Sequence, residues 1–153
     1  MWKPAVVAVL AGAGLAYVAI DSRASEGASF AYRDSEVVAL GQAVYAEHCA
    51  ACHGEALEGQ PDWTERDADG YLPAPPHDET GHTWHHPDAQ LFTIVKLGTE
   101  AVVGGNYRSN MMGYGDVLRD DEIVAVLAYI KSTWPRRIIE RHDELNAAYE
   151  AAN

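Results

Sequence analysis

Cysteine and positive charge are both scarce in this chain. Only two cysteines occur among 153 residues, and 11 Lys and Arg stand against 23 Asp and Glu, a formal net charge of −12. Two thiols cannot build a disulfide framework, and without a second ligand pair they cannot complete a four-coordinate zinc site. The shortage of Lys and Arg excludes nucleic acid as a partner, because phosphate binding needs clustered cations. The acidity instead suits a solvated surface, or steering toward a basic docking patch. No alternating strand pattern and no internal repeat is found, which leaves a mostly α chain. Long apolar runs are lacking too, with one exception at the start.

That exception extends from Pro4 to Ile20, behind the single cation Lys3. A segment of this kind is an export signal or a membrane anchor. Its 17 residues exceed the roughly 7–15 of a signal-peptide core and fall just short of the about 20 that a spanning helix needs. Residues 1–24 are therefore expected to stay as an N-terminal anchor, with cleavage after Ser22-Arg23-Ala24 as the alternative. The small, polar stretch that follows has no apolar periodicity, and residues 25–34 are expected to be a linker. What remains is about 120–130 residues, one domain by length.

Against these absences stands Cys49-Ala50-Ala51-Cys52-His53. Two thiols three residues apart share one face of a helical turn, where both reach the vinyl groups of one porphyrin. The histidine that follows can then ligate the iron, so the spacing is that of a covalent haem attachment site. A thioredoxin-type motif would need a βαβ pattern around it, and the flanks here are helical. The residue facing His53 across the iron decides between electron transfer and an open, reactive site. Met111, Met112, His77, His82, His85, His86 and His142 are all candidates.

Helical periodicity begins at Ser35, a suitable N-cap, and places Val37, Leu40, Gly41, Val44, Tyr45 and His48 on one stripe that ends in Cys49. Residues 55–86 are broken by Pro and Gly, a long irregular stretch that is easiest to accept wrapped around a rigid prosthetic group. A short buried helix is expected from Pro87 to Gly98, then a glycine-rich loop over 99–115. A helix over 120–134 follows, capped by Asp120 or Asp121, with Ile123, Val126, Leu127 and Ile130 inward. Past Pro135, residues 136–153 are expected to form a polar surface helix.

The run from Gly41 to Gly54 resembles the opening of a class I c-type cytochrome. Asn110-Met111-Met112-Gly113-Tyr114-Gly115, followed by Asp121-Glu122-Ile123 and Tyr129-Ile130, resembles that family's methionine loop and last helix. The resemblance covers about residues 35–135 and implies an all-α fold, a class I cytochrome c fold with helices and long loops around one covalent haem c. It implies that the first and last helices cross, with Gly41 and Tyr45 against Leu127, Tyr129 or Ile130. Aligned on Tyr114-Gly115, Met111 takes the family's ligand position. Met112 stands where the family usually has proline, so it competes with Met111.

The implied function is one-electron transfer with Cys49 and Cys52 holding the haem and His53 and Met111 as axial ligands. No catalytic residue, small-molecule substrate or enzyme activity of its own is expected, although a relay role inside a larger oxidoreductase fits equally. Redox proteins of the membrane or periplasm would be the partners. The place would be the periplasmic side of a bacterial inner membrane, or the soluble periplasm if the N-terminus is cleaved. The alternative is a copper-handling or gas-binding haem protein that uses the His-rich loop 77–86, where His77, His82, His85 and His86 gather beside Asp78 and Glu79. Trp63 and Trp84 are candidates to donate to haem propionates, Arg108 to pair with one, and Asn110 to orient the methionine thioether. The cluster Arg136, Arg137 and Arg141 is a candidate docking surface.

Overall fold

The computed structural model describes residues 30–153. The expected anchor, residues 1–24, and the first half of the expected linker lie outside the described residues. Among the described residues no helix is long and apolar enough to cross a membrane, and none forms a strand beyond an isolated bridge between Gly98 and Met112.

The first helix, α1, spans Ser35–His48. Its cap is Asp34, not Ser35. The Asp34 carboxylate accepts from the N–H groups of Glu36 and Val37 at 2.9 and 3.3 Å, so it satisfies two open donors from one residue earlier. A short α2, Ala50–His53, follows directly and Gly54 ends it. Irregular chain then extends to a single 3-10 turn at Thr83–His85, as the density of Pro and Gly leads one to expect. Helix α3 is Asp88–Leu97, with Pro87 just outside it as N-cap, and a five-residue α4 covers Thr99–Val103. Helix α5, Asp120–Ser132, is capped by Arg119 and not by an aspartate. Glu122 accepts from the Arg119 N–H at 2.9 Å, while Asp120 is drawn off to pair with Lys96 at 2.7 Å. Helix α6 is Arg136–Ala152.

Helices α1 and α5 cross in direct backbone contact at Gly41. A Cβ there would overlap the Ala125 carbonyl oxygen and stand 2.8 Å from Tyr129 Cβ, so only glycine permits the crossing. Gly41 therefore meets Ala125 as well as the expected Tyr129. One turn later Tyr45 packs on Tyr129 with ring centroids 5.5 Å apart and donates its hydroxyl to Gly54 O at 2.8 Å. The inner stripe of α5 is Ile123, Val126, Leu127 and Ile130, each no more than 4% exposed. Burying each such side chain contributes about 1.5–3 kcal/mol.

The linker does not reach residue 34. Phe30 is buried, its N–H donates to Asp88 Oδ2 at 3.0 Å, and the Tyr32 hydroxyl bonds to Asp143 at 3.2 Å. Residues 30–34 thus form a strap across α3 and α6. Helix α6 turns one face inward through Ile138, His142 and Asn146, spaced four apart. Fully buried Lys131 from α5 is neutralised there by Asp143 at 2.6 Å.

Candidate haem site

The site begins where α1 breaks into α2. Cys49 and Cys52 lie one turn apart, neither in a disulfide, Cys49 half-buried and Cys52 exposed. Burial pushes the Cys49 thiol up to about 11, helped by the nearby Cys52. His53 closes α2 and is buried. Its Nδ1–H donates to Pro75 O at 2.8 Å. Burial lowers its pKa, and the Pro75 carbonyl only partly opposes that. The ring is therefore neutral and protonated on Nδ1, with its lone pair on Nε2, which is the tautomer a metal ligand requires.

The irregular stretch 55–82 carries that carbonyl and is tied back onto its own start. The Gly59 N–H donates to His53 O and the His77 N–H to Leu57 O, both at 2.8 Å, and the Gln60 N–H donates to Ala74 O at the same distance. The far end is fixed by Trp134, buried just past α5, whose Nε1–H donates to His77 O at 2.7 Å. His77 itself stacks on His53, centroids 4.0 Å apart and planes 23° from parallel. Its Nδ1 is hydrogen-bonded to Thr83 Oγ1 at 2.7 Å.

The methionine loop reaches the same region. The Tyr114 N–H and Gly115 N–H donate to Val95 O and Lys96 O at 2.9 and 3.0 Å, satisfying carbonyls that the end of α3 leaves open. A Cβ on Gly113 would come 2.6 Å from the Leu97 carbonyl carbon, so this docking requires glycine. The Tyr114 hydroxyl then donates to His48 O at 2.9 Å, joining the methionine loop to the turn that carries Cys49. Met111 is half-buried, with its N–H donated to Ser109 Oγ at 3.1 Å and its carbonyl accepting from Thr99 at 3.2 Å. Met112 is 65% exposed.

The His-rich loop does not converge. His77 faces His53, and His82 stacks on Trp63 with its edge toward His86. His85 lies on Trp84, and among the described residues no group of three His, Cys, Asp or Glu is arranged to hold a metal ion. His142 is also occupied elsewhere: its Nε2–H donates to His86 O at 2.9 Å, and Asn146 donates to its Nδ1 at 3.4 Å. Trp84 spends its N–H on Glu79 O at 3.4 Å. Arg108 donates to Asp69 O and the Tyr71 hydroxyl at 2.6 and 2.9 Å, clamping a turn of the irregular stretch. Arg136 pairs with Glu140 and Arg137 with Glu79, while Arg141 lies over Trp84, so the basic cluster is largely neutralised within the chain. Asn110 is exposed.

Two free thiols one turn apart, a neutral imidazole beside the second with its lone pair on Nε2, and apolar Ala50, Phe92, Val95 and Tyr114 packed around the core fit a covalently attached haem. They define a class, all-α proteins that enclose a haem in helices and long loops. The chain belongs to the cytochrome c family, whose sequence profile, Cytochrome c, matches residues 38–134. Among solved structures it is similar to cytochrome CL from the marine methylotrophic bacterium Methylophaga aminisulfidivorans MPT. The TM-score is 0.52 and the identity 23%, over 80% of this chain and 71% of that one. No curated protein matches the chain. Its cofactor is covalently bound haem c, its activity is haem-based electron transfer, and its partners are other redox proteins.

Proposed function

We propose that this protein is a one-electron carrier with a single haem c, attached through Cys49 and Cys52 and ligated by His53 and Met111. The haem, when bound, supplies an iron centre that takes up and releases one electron. The chain's own residues do the rest. Pro75 O holds the His53 ring in the metal-binding tautomer, and Tyr114 ties the methionine loop to the attachment turn. The core around Tyr45, Leu91 and Ile123 excludes water, which keeps the local dielectric low. With His53 and the Met111 thioether holding the iron, the reduced state would be favoured and the potential raised. One observation carries the proposal above the others: the His53 Nδ1–H bond to Pro75 O at 2.8 Å, which leaves Nε2 for a metal.

In this reading residues 1–24 anchor the head to the periplasmic side of a bacterial inner membrane. The protein passes electrons between membrane or periplasmic oxidoreductases, either as a free carrier or as a relay subunit. The test is the optical spectrum of the haem-loaded protein, ferric and then ferrous with and without carbon monoxide. A low-spin spectrum with the weak far-red methionine-to-iron band and no response to carbon monoxide is expected. A high-spin spectrum or ready carbon monoxide binding would overturn the His/Met assignment.

A further inference from the structure

One imidazole beside His53 is not among the residues proposed above to hold the haem. His77 lies two residues past Pro75, so the segment that presents a carbonyl to the edge of the His53 ring also lays a second ring across its face, 4.0 Å away and 23° from parallel. An aliphatic side chain would fill that space with no polar atoms to satisfy, whereas this histidine has a hydrogen-bond partner at Nδ1. Its Nδ1 is hydrogen-bonded to the buried Thr83 hydroxyl at 2.7 Å. Its backbone N–H donates to Leu57 O at 2.8 Å, its backbone carbonyl accepts from Trp134 at 2.7 Å, and its ring stands in a T-shaped arrangement with Tyr45, centroids 6.4 Å apart. Four separate segments, those of Leu57, Thr83, Trp134 and Tyr45, therefore fix the position of one ring.

A single hydrogen bond at Nδ1 locates one edge of an imidazole and leaves the ring free to rock about that edge. Contact across the face removes the rocking. The plane of an axial imidazole decides how its π orbital overlaps the iron d orbitals, and outer partners that fix a ligand ring tune its metal. We infer that His77 is a positioning residue that sets the plane of the His53 ring by stacking on it, with Thr83 as its anchor, and that it thereby tunes the ferric electronic structure and the reduction potential. This rests on His53 being the axial ligand.

The test uses the holoprotein, its covalent haem content checked first, and reads the ferric electron paramagnetic resonance g values and the equilibrium midpoint potential. His77→Leu should remain haem-loaded and low-spin while its g values change spacing and its midpoint shifts. His77→Phe, which keeps a flat ring in the stack, should return both readouts toward wild type. Thr83→Val should move them in the same direction as His77→Leu by a smaller amount, and it carries the test if His77→Leu fails to mature. Wild-type g values and midpoint in His77→Leu, or in Thr83→Val when it stands alone, would overturn the inference, as would equal shifts in the Leu and Phe variants. A wild-type protein without a histidine-ligated low-spin haem would instead overturn the ligand assignment beneath it, and that failure is visible before any variant is made.

Discussion

Met111 and Met112 are adjacent, yet their surroundings differ. Met111 is half-buried with both backbone groups bonded, while Met112 is 65% exposed. Holding the Met111 backbone on two sides would lower the entropy cost of presenting its thioether, and on the proposed ligation we expect Met111→Ala to lower the midpoint potential by on the order of 0.1 V, well within the about 0.8 V that axial ligation spans. The same variant should open the iron to carbon monoxide, and Met112→Ala should do neither. Redox titration and the ferrous–carbon monoxide spectrum check this, and the reverse pattern would transfer the role to Met112. Legibility at this scale follows sequence distance. Cys49, Cys52 and His53 stand out in the sequence because a haem attachment site of the proposed kind would draw two thiols and a histidine from neighbouring residues. Pro75, Trp134 and His142 cannot, because their partners are 22, 57 and 56 residues away and the loop between carries no period that reports where it folds back. Arg108 shows the converse. Its residue type suits a propionate, but in the structure its guanidinium clamps the Asp69 carbonyl and the Tyr71 hydroxyl.

Among the elements, the α1–α5 crossing bears the most consequence. Glycine lowers helix stability by up to about 1 kcal/mol relative to alanine, so propensity alone would make Gly41→Ala favourable. Contact decides otherwise, since the added methyl would overlap the Ala125 carbonyl, which is backbone and cannot rotate away. We expect Gly41→Ala to destabilise the holoprotein by about 3 kcal/mol, the upper part of the overpacking range. The denaturation midpoint checks it, and a midpoint at or above wild type would mean that the helices separate without cost. The helices themselves were legible because their apolar stripes repeat at the helical period. Their caps were not, because Asp34 and Ser35 are both good caps by type, and only the geometry of the incoming strap selects Asp34. Helix α4 escaped for a related reason: five residues are too few to display a period.

At the scale of the whole molecule, the strap and α6 are stitched to the haem-bearing part by a buried polar network that composition does not reveal. Asp88 takes the Phe30 N–H on one oxygen, and its own N–H donates to Asn146 Oδ1 at 2.7 Å. Its other oxygen is buried with no hydrogen-bond partner among the described residues, although His142 Nε2 lies 3.5 Å away. Burial lowers the His142 pKa below 6.5, and the charge of Lys131 lowers it further; the His86 carbonyl, Asp88 and Asp143 oppose this without reversing it. The native state therefore binds this proton more weakly than the unfolded chain does. Stability from His142 is complete above the unfolded value of about 6.5 and is lost as pH falls from there through the lower folded value, because the unfolded state then takes up a proton that the native state resists. His142→Gln removes that response and should cost about 1–3 kcal/mol at pH 7.5 through lost buried hydrogen bonding. His82, whose pKa is also lowered by burial, titrates in both proteins and cancels in the comparison. Denaturant midpoints of the two holoproteins measured from pH 7.5 to 5.5 should therefore converge, with wild type losing more on acidification, and parallel curves would show that His142 does not couple the α6 face to pH.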